Sequence, residues 1–291
     1  MKFIFNNKEY PSIDGVKKAY YNGQGPVPPD PDTIPFYCEN TTGNSITVYI
    51  EKQDTSYSPT ITAEKSSNNK DWVSVDLYAG VIINPGEKVY LRATSSKDGT
   101  WCGTEGWGTN FFRGVDKIGG NILSLLYGSN FTGRETIIPN SRTYCFHRVF
   151  YNTTSLINAE ELLLPVIALT ESCYNRMFEG CTSLVKGPVE LPSTDTAVNG
   201  CYNGMFSGCT SLTESPMIRA RSLVNYSCTN MFNNCSSLNT VKCLATWRGS
   251  SSTGGWLSGV AASGTFYKNA SMKSWPSGTN GIPNGWTVVD V

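Results

Sequence analysis

A twelve-residue motif recurs along the second half of the chain and constrains its fold more than any other feature. Its clearest copies, residues 173–184 and 201–212, share the pattern Cys-Tyr-Asn-x-Met-Phe-x-Gly-Cys-Thr-Ser-Leu. The shared phenylalanine lies at positions 150, 178, 206 and 232, which gives periods of 28, 28 and 26 residues. One unit of this size cannot bury its own apolar side, so neighbouring units must stack into a continuous core.

The spacing inside the motif predicts the local structure of each unit. Apolar residues four or five positions apart in Cys-Tyr-x-x-Met-Phe predict one or two turns of helix. The shorter apolar stretch after Ser-Leu, which ends near Pro165, Pro192 or Ile218, predicts a short strand. A degenerate fifth copy is expected at residues 265–272, where Phe266 and Met272 keep the six-residue spacing from Phe to Leu. We therefore expect a short α/β solenoid of the leucine-rich-repeat type.

The cysteines follow the same periodicity. Buried cysteine packs as a small apolar residue, so free thiols in the repeat core are the favoured interpretation, with disulfides as the alternative. A zinc site is disfavoured because the chain lacks paired CxxC motifs and has a single histidine, His147. Seven of the ten cysteines lie within the motif, namely Cys145, Cys173, Cys181, Cys201, Cys209, Cys228 and Cys235.

The first half of the chain divides into two parts. Residues 1–35 contain a short strand-like start and then a spacer with five prolines, and they are interpreted as an anchor segment or, alternatively, a frayed terminus. Residues 36–132 show period-two alternation in 45–50, 72–77 and 88–93, which predicts an antiparallel β-sandwich. The repeats are assigned to 133–246 and a C-terminal cap to 247–291, so the predicted fold class is mixed and β-rich.

Charge and hydropathy exclude several classes of partner. Lys+Arg and Asp+Glu both total 23, so the formal net charge is zero and a nucleic-acid partner is not expected. The apolar cluster at 3–5 is too short for a secretory signal, and no stretch is long enough for a membrane span. Neither membrane insertion nor a cofactor is expected.

The motif and its flanks resemble the BspA-like leucine-rich repeats of gut anaerobes and their phages. The similarity covers about residues 36–291 and includes the junction at 120–131 and the closing segments at 254–268 and 281–288. The resemblance implies a β-rich module followed by a capped solenoid that mediates surface attachment. The chain has about four repeats, few for a long bacterial adhesin, and we expect it to lack an export leader, which favours a virion component.

The sequence lacks a recognisable catalytic constellation. His147 has Asn175 and Asn203 as its counterparts in the next two copies, so it is interpreted as a surface or groove substitution rather than a catalyst. Glu160 and Glu161 are adjacent residues, which in a strand point to opposite faces, whereas a glycosidase needs two carboxylates that face each other across a sugar. We expect no catalytic or metal-binding residues and no enzymatic activity. The binding candidates are aromatic residues that can stack on a sugar or form an interface. They are Trp101, Trp107, Trp247 and Trp256, and the candidate anchor residues are Lys17, Lys18, Tyr20 and Tyr21.

These observations lead to a functional hypothesis with two alternatives. The leading hypothesis is a phage virion structural or adhesion protein, a head- or tail-fibre-type component at the virion surface. Residues 1–35 would bind other virion proteins, and the repeats would bind a host-surface protein or glycan. A homotrimer is compatible with such a part. The first alternative is a bacterial cell-surface adhesion protein, and the second is a carbohydrate-active enzyme.

Overall fold

The computed structural model describes residues 33–52, 61–94, 110–134, 143–165, 169–192 and 195–291, together with the backbone of two N-terminal strands. These two strands, β1 (Phe3–Phe5) and β2 (Lys8–Tyr10), pair antiparallel. The other residues before 33 lie outside the described residues, as do Trp101 and Trp107. The predicted anchor residues Lys17, Lys18, Tyr20 and Tyr21 are among them.

Two sheets made mainly of antiparallel strands form the region that follows. The smaller sheet has the order β7-β4-β9, and the larger sheet contains the antiparallel run β10-β3-β8-β5-β6. The strands are β3 (Tyr37–Glu39), β4 (Ile46–Lys52), β5 (Ala63–Ser66), β6 (Val73–Val75), β7 (Val81–Ile83), β8 (Lys88–Ala93), β9 (Asn110–Arg113) and β10 (Lys117–Asn121).

Alternating burial along these strands explains why the two sheets pack together. In β4, Val48 and Ile50 are buried whereas Thr47 and Tyr49 are exposed, as period-two side-chain alternation requires. The buried side chains of both sheets belong to one hydrophobic core. The Phe36 and Phe112 rings meet across it with their centroids 5.3 Å apart. The predicted antiparallel β architecture of this region is confirmed.

Helix is almost absent from the described residues. One short α-helix, α1 (Ser124–Tyr127), is followed by a 3-10 turn at Gly128–Asn130. All four residues of α1 are buried. The Ser124 hydroxyl accepts a hydrogen bond from the Phe36 N–H and donates one to the Leu91 carbonyl, each at 2.9 Å. The helix is thereby tied to the antiparallel sheets.

The second half of the chain forms parallel sheets. A four-stranded sheet has the order β13-β15-β17-β18, and a three-stranded sheet has the order β12-β14-β16. Because each strand pairs in parallel with its equivalent one repeat later, the chain winds into a β-solenoid of about four turns. The strands are β11 (Asn158–Leu163), β12 (Thr196–Ala197), β13 (Glu214–Ile218), β14 (Ser222–Leu223), β15 (Thr240–Cys243), β16 (Trp247–Arg248), β17 (Thr265–Lys268) and β18 (Thr287–Asp290).

The motif itself forms a stack of turns, and the prediction of helix there is wrong. In the second copy, the N–H groups of Tyr174, Arg176 and Phe178 donate to carbonyls of the next copy at 2.8–3.0 Å. The intervening N–H groups of Asn175 and Met177 donate to carbonyls three residues earlier. Alternate amides therefore bond between repeats and within turns, a pattern that fits neither helix nor strand. The five stacked segments, numbered coils 1 to 5, span residues 144–153, 172–181, 200–209, 226–235 and 251–260.

A left-handed residue at every fourth position explains why the helix fails. In coil 3 these residues are Gly200, Gly204 and Gly208, with φ of 63°, 60° and 76°. Glycine adopts this conformation without the penalty that other residues incur. Successive four-residue turns place apolar side chains at the same i, i+4 spacing as a helix does. The apolar spacing alone could therefore not distinguish the two structures.

Identical residues stack along the solenoid because each coil repeats the register of the last. Phe150, Phe178, Phe206 and Phe232 are fully buried, and successive rings lie nearly parallel with centroids 5.2–5.5 Å apart. A second column runs through Phe146, Tyr174 and Tyr202 at 6.0 and 6.2 Å. The repeated leucines are also fully buried; they are Leu156, Leu184, Leu212 and Leu238.

Most motif cysteines are free and buried, as the favoured interpretation predicted, but Cys145 is an exception. The thiols of Cys181, Cys209 and Cys235 each donate to the carbonyl of the phenylalanine one coil earlier, at 2.9–3.1 Å. In coil 1 the equivalent residue is Thr153, whose hydroxyl donates to the Phe112 carbonyl at 2.6 Å. These cysteines are therefore small buried donors, whereas Cys145 is disulfide-bonded. Free, buried thiols are also found at Cys38, Cys173, Cys201, Cys228 and Cys243.

The fifth coil lies earlier than the sequence predicted. The Phe232 N–H donates to the Trp256 carbonyl at 2.9 Å, so Gly255, Trp256 and Leu257 continue the stack of coil 4. Residues 265–272, predicted to be the fifth copy, instead contain strand β17. Trp256 and Leu257 replace the methionine and phenylalanine of the motif, so the sequence of this coil does not match the motif. The stacking thus extends past residue 246.

The solenoid is built directly on the antiparallel sheets. Strand β11 of the first repeat pairs in parallel with β10 and thereby becomes the sixth strand of the larger sheet. The Phe112 N–H donates to the Val149 carbonyl at 2.8 Å, and the Phe112 ring stacks on Phe150 with centroids 5.6 Å apart. One hydrophobic core continues through both parts. The first coil therefore has no open apolar end on this side.

Candidate binding surface

The most distinctive residues of the repeat are buried in the core. The candidate binding residues are therefore exposed residues at positions that depart from the motif. The clearest departure lies on the three-stranded sheet β12-β14-β16. Thr196, Ser222 and Trp247 are in register across its three parallel strands. Thr196 and Trp247 are exposed and Ser222 is half-buried, whereas the next residues, Ala197 and Leu223, are buried. The sheet thus directs one row of side chains outward, the Trp247 row.

Trp247 is the dominant residue of this row. Its side chain is 53% exposed, although tryptophan is usually highly buried. A β-carbon placed on Gly249 would lie 3.6 Å from the Trp247 ring, so the ring passes close to this glycine. The same position is 2.8 Å from the Asn225 side-chain oxygen. The indole therefore rests beside a residue without a side chain and presents an exposed apolar surface.

Polar and charged groups flank the row. Asp195 and Arg221 precede β12 and β14, and their side chains are 91% and 76% exposed. The Arg221 Nε and Asp195 Oδ1 atoms are 3.8 Å apart, which is a loose contact between solvated groups. The Trp247 and Ser222 N–H groups donate to the Arg221 and Asp195 carbonyls, at 3.1 and 2.8 Å. An aromatic surface, a line of hydroxyls and an exposed donor and acceptor thus occupy one small sheet.

The other predicted binding tryptophan, Trp256, does not reach the surface. It is fully buried, its Nε1 donates to the Gly281 carbonyl at 2.8 Å, and its ring stacks on Trp275 with centroids 5.3 Å apart. Trp256 therefore closes the core of coil 5 beneath the C-terminal segment. The expectation that this side chain is available to a ligand is wrong.

Glu160 and Glu161 are both exposed, contrary to the expectation that adjacent strand residues face opposite sides. A register shift in the β10–β11 pairing accounts for this, because a bulge turns one residue out of alternation. Each carboxylate is engaged by a lysine: Glu160 with Lys186 at 2.7 Å and Glu161 with Lys117 at 2.9 Å. Glu161 also accepts a hydrogen bond from the Tyr37 hydroxyl. The pair therefore stabilises the contacts between neighbouring strands.

His147 lies inside coil 1 rather than at its surface, so the expectation of a surface or groove substitution is wrong. It is only 4% exposed, and its ring packs edge-on against Tyr144 with centroids 5.4 Å apart. Burial, followed by the positive charges of Arg148 and Arg176, lowers the pKa of His147 to about 3. The imidazole is therefore neutral at pH 7.

The described residues offer neither a metal site nor a membrane-spanning helix. This part of the chain contains no cluster of three or more His, Cys, Asp or Glu side chains suited to a metal ion. Among its helices, none is long and apolar enough to span a bilayer. Burial raises the pKa of Cys181 to about 12, so this thiol is protonated at neutral pH and unsuited to act as a nucleophile.

Comparison of the chain with family models, curated proteins and solved structures finds no match. The class of protein is therefore described by the fold alone: a β-solenoid that continues from antiparallel sheets. The sequence predicted Trp247 as a binding residue but missed Thr196, Ser222, Asp195 and Arg221. Thr196 and Ser222 belong to two-residue strands too short to recognise from periodicity, Asp195 and Arg221 directly precede these strands, and only the parallel register brings the four residues together.

Proposed function

We propose that this protein is a non-enzymatic attachment protein whose solenoid binds a saccharide on a host surface through the Trp247 row. The observation that carries the proposal is the 53% exposure of Trp247 in register with two hydroxyl residues. An indole face stacks on the C–H groups of a sugar ring, and hydroxyl, carboxylate and guanidinium groups hydrogen-bond to its hydroxyls.

The strand spacing supports an extended saccharide as the ligand. Adjacent strands lie about 4.8 Å apart, so Trp247, Ser222 and Thr196 form a line with a repeat comparable to a sugar ring. A ring on Trp247 would place the next ring beside Ser222, within reach of Arg221 and Asp195. The saccharide would lie across the strands, along the solenoid axis.

We further propose that the chain is a BspA-like leucine-rich-repeat protein and a virion component. A buried leucine lies six residues after each stacked phenylalanine, and this column supports the assignment to leucine-rich repeats. The five prolines between positions 26 and 35 favour an extended spacer, which supports the virion setting in which residues 1–35 would bind other virion proteins. Immunogold labelling of purified particles tests this setting. Labelling at fixed symmetric positions is expected, whereas labelling confined to the envelope of uninfected cells would favour the bacterial adhesin.

Binding to immobilised mucin and capsular polysaccharides tests the role of Trp247. We expect Trp247→Ala to weaken binding by about tenfold or more while leaving the unfolding temperature nearly unchanged, because the side chain is exposed. Tyr49→Ala is the matched control, since Tyr49 is a 39% exposed aromatic on the antiparallel sheets. Equal binding by the wild type and Trp247→Ala would refute the proposed site. Release of shortened saccharides would instead indicate an enzyme.

A further inference from the structure

Neighbouring repeats of the solenoid are joined, outside the coils, by ion pairs of opposite charge. Glu160 pairs with Lys186 at 2.7 Å and Glu190 with Arg219 at 2.6 Å. Similar pairs form between Glu214 and Lys242 and between Lys268 and Asp290. Opposite charges on adjacent strands are mutually stabilising, whereas like charges placed opposite each other are destabilising. A like-charged pair at equivalent positions of adjacent coils therefore calls for an explanation.

Arg148 and Arg176 are such a pair. The Arg148 N–H donates to the Asn175 carbonyl at 3.1 Å, which places the two arginines at equivalent positions of coils 1 and 2. Both adopt left-handed backbone conformations, with φ of 57° and 54°. Coils 3 and 5 carry Gly204 and Gly255 at this position, as the conformation favours. The arginines are thus unfavourable here in both charge and backbone conformation.

The polar groups around these arginines are incompletely paired. Arg148 Nε, His147 Nδ1 and Glu179 Oε2 are buried and hydrogen-bond to no described residue. Arg176 Nε lies 3.5 Å from Glu179 Oε2, and the Arg148 guanidinium lies 4.9 Å from the centre of the Tyr151 ring. The Glu179 carboxylate interacts electrostatically with both guanidinium groups, so one of the two positive charges has no counterion among the described residues. Buried polar groups of this kind normally have partners.

We propose that Arg148 and Arg176 form a binding site for an oxyanion. Two guanidinium groups at equivalent positions of adjacent coils can donate charge-assisted hydrogen bonds to one sulfate, phosphate or carboxylate group. The anion would neutralise the positive charge that has no counterion and thereby remove the repulsion between the two side chains. This site lies on the turn segments of coils 1 and 2, so it is distinct from the Trp247 row on the three-stranded sheet. It is independent of the proposed saccharide binding there.

The single histidine of the chain provides a specific probe for this site. His147 precedes Arg148, and its imidazole gives one set of NMR signals in the whole protein. We would titrate the full chain with sodium sulfate at pH 7, holding ionic strength constant with sodium chloride so that screening does not change. Calorimetry on the same samples would measure binding independently of the imidazole. A saturable shift of the His147 signals with a matching calorimetric dissociation constant is expected.

Matched variants test which side chains hold the anion. Arg148→Gln and Arg176→Gln should each weaken sulfate binding by about tenfold or more, because each removes a charge-assisted donor. Arg176→Gln should also raise the unfolding temperature at low salt, since it relieves the repulsion. Arg134→Gln removes the same charge from an exposed arginine outside the solenoid and should leave the dissociation constant unchanged. Sulfate binding that is absent from the wild type, or equal in the wild type and both site variants, would overturn the proposal.

A second titration distinguishes the sources of the anion. N-acetylglucosamine 6-sulfate and unsulfated N-acetylglucosamine would be compared with inorganic sulfate on the same samples. Tighter binding of the sulfated sugar than of sulfate supports an acidic saccharide as the ligand. Equal binding of the two supports a free inorganic anion at the same site. Equal shifts with the sulfated and unsulfated sugars would contradict an oxyanion site.

Discussion

Replacing His147 by asparagine should make the protein more resistant to mild acid. His147 is 4% exposed, its Nδ1 atom has no partner among the described residues, and its pKa is lowered to about 3 by burial and by Arg148 and Arg176. The next two copies of the motif carry Asn175 and Asn203 at this position. Asparagine therefore fits the turn geometry while removing the titratable group.

The sign and size of the effect follow from proton linkage. In the unfolded chain the histidine has a pKa of about 6.5, so below that pH the unfolded state binds a proton that the folded state excludes. The contribution of the neutral imidazole to the free energy of unfolding is therefore complete above about pH 6.5 and is lost as the pH falls towards about 3. At about 1.4 kcal/mol per pH unit, the loss reaches about 2 kcal/mol at pH 5.

Urea unfolding of the wild type and His147→Asn at pH 7 and pH 5 measures this quantity. Carboxylates titrate in both proteins, so the difference between the two pH-dependent changes isolates the histidine contribution. We expect the wild type to lose about 2 kcal/mol more than the variant between the two pH values. A difference below about 0.5 kcal/mol, or a His147 NMR titration with a midpoint near 6.5, would refute the reasoning.

Two further predictions concern the core of the solenoid. Phe206→Ala should lower the free energy of unfolding by about 3–5 kcal/mol, measured by chemical denaturation, because the ring is fully buried between Phe178 and Phe232. Cys209→Thr should be more stable than Cys209→Val by about 1 kcal/mol in the same assay, because the Cys209 thiol donates to the Phe178 carbonyl at 3.1 Å and valine lacks a donor of similar size. Equal stabilities of the two Cys209 variants would show that the thiol serves only as apolar filling.

The stacked core could be predicted from sequence because its physical signal is periodic. The phenylalanines at 150, 178, 206 and 232 and the leucines six residues later are all buried, as a repeat with a shared apolar side requires. The antiparallel strands were predictable for the same reason, since alternation along 45–50 and 88–93 is visible in the residues themselves. Local periodicity therefore identified the buried side chains in both halves.

Features that depend on backbone conformation or on distant pairing were not predictable in this way. Spacings of four apolar residues fit both a helix and successive four-residue turns, and the glycines at 200, 204 and 208 were the overlooked signal for turns. The disulfide state of Cys145 and the pairing of β10 with β11 depend on contacts made in three dimensions. The register of Thr196, Ser222 and Trp247 belongs to the same category.

Exposed departures from a repeat carry more functional information than the repeat itself. Stacking of equivalent coils fixes the buried residues, so their recurrence reports the requirements of the core. Trp247 occupies a row whose other members are threonine and serine, and Arg148 and Arg176 occupy a position that is otherwise glycine or asparagine. Trp247 is half exposed, and the two arginines occupy a backbone conformation that favours glycine, so we propose ligands rather than stability as the reason for both. The two proposed sites follow from this one criterion, applied to different faces of the solenoid.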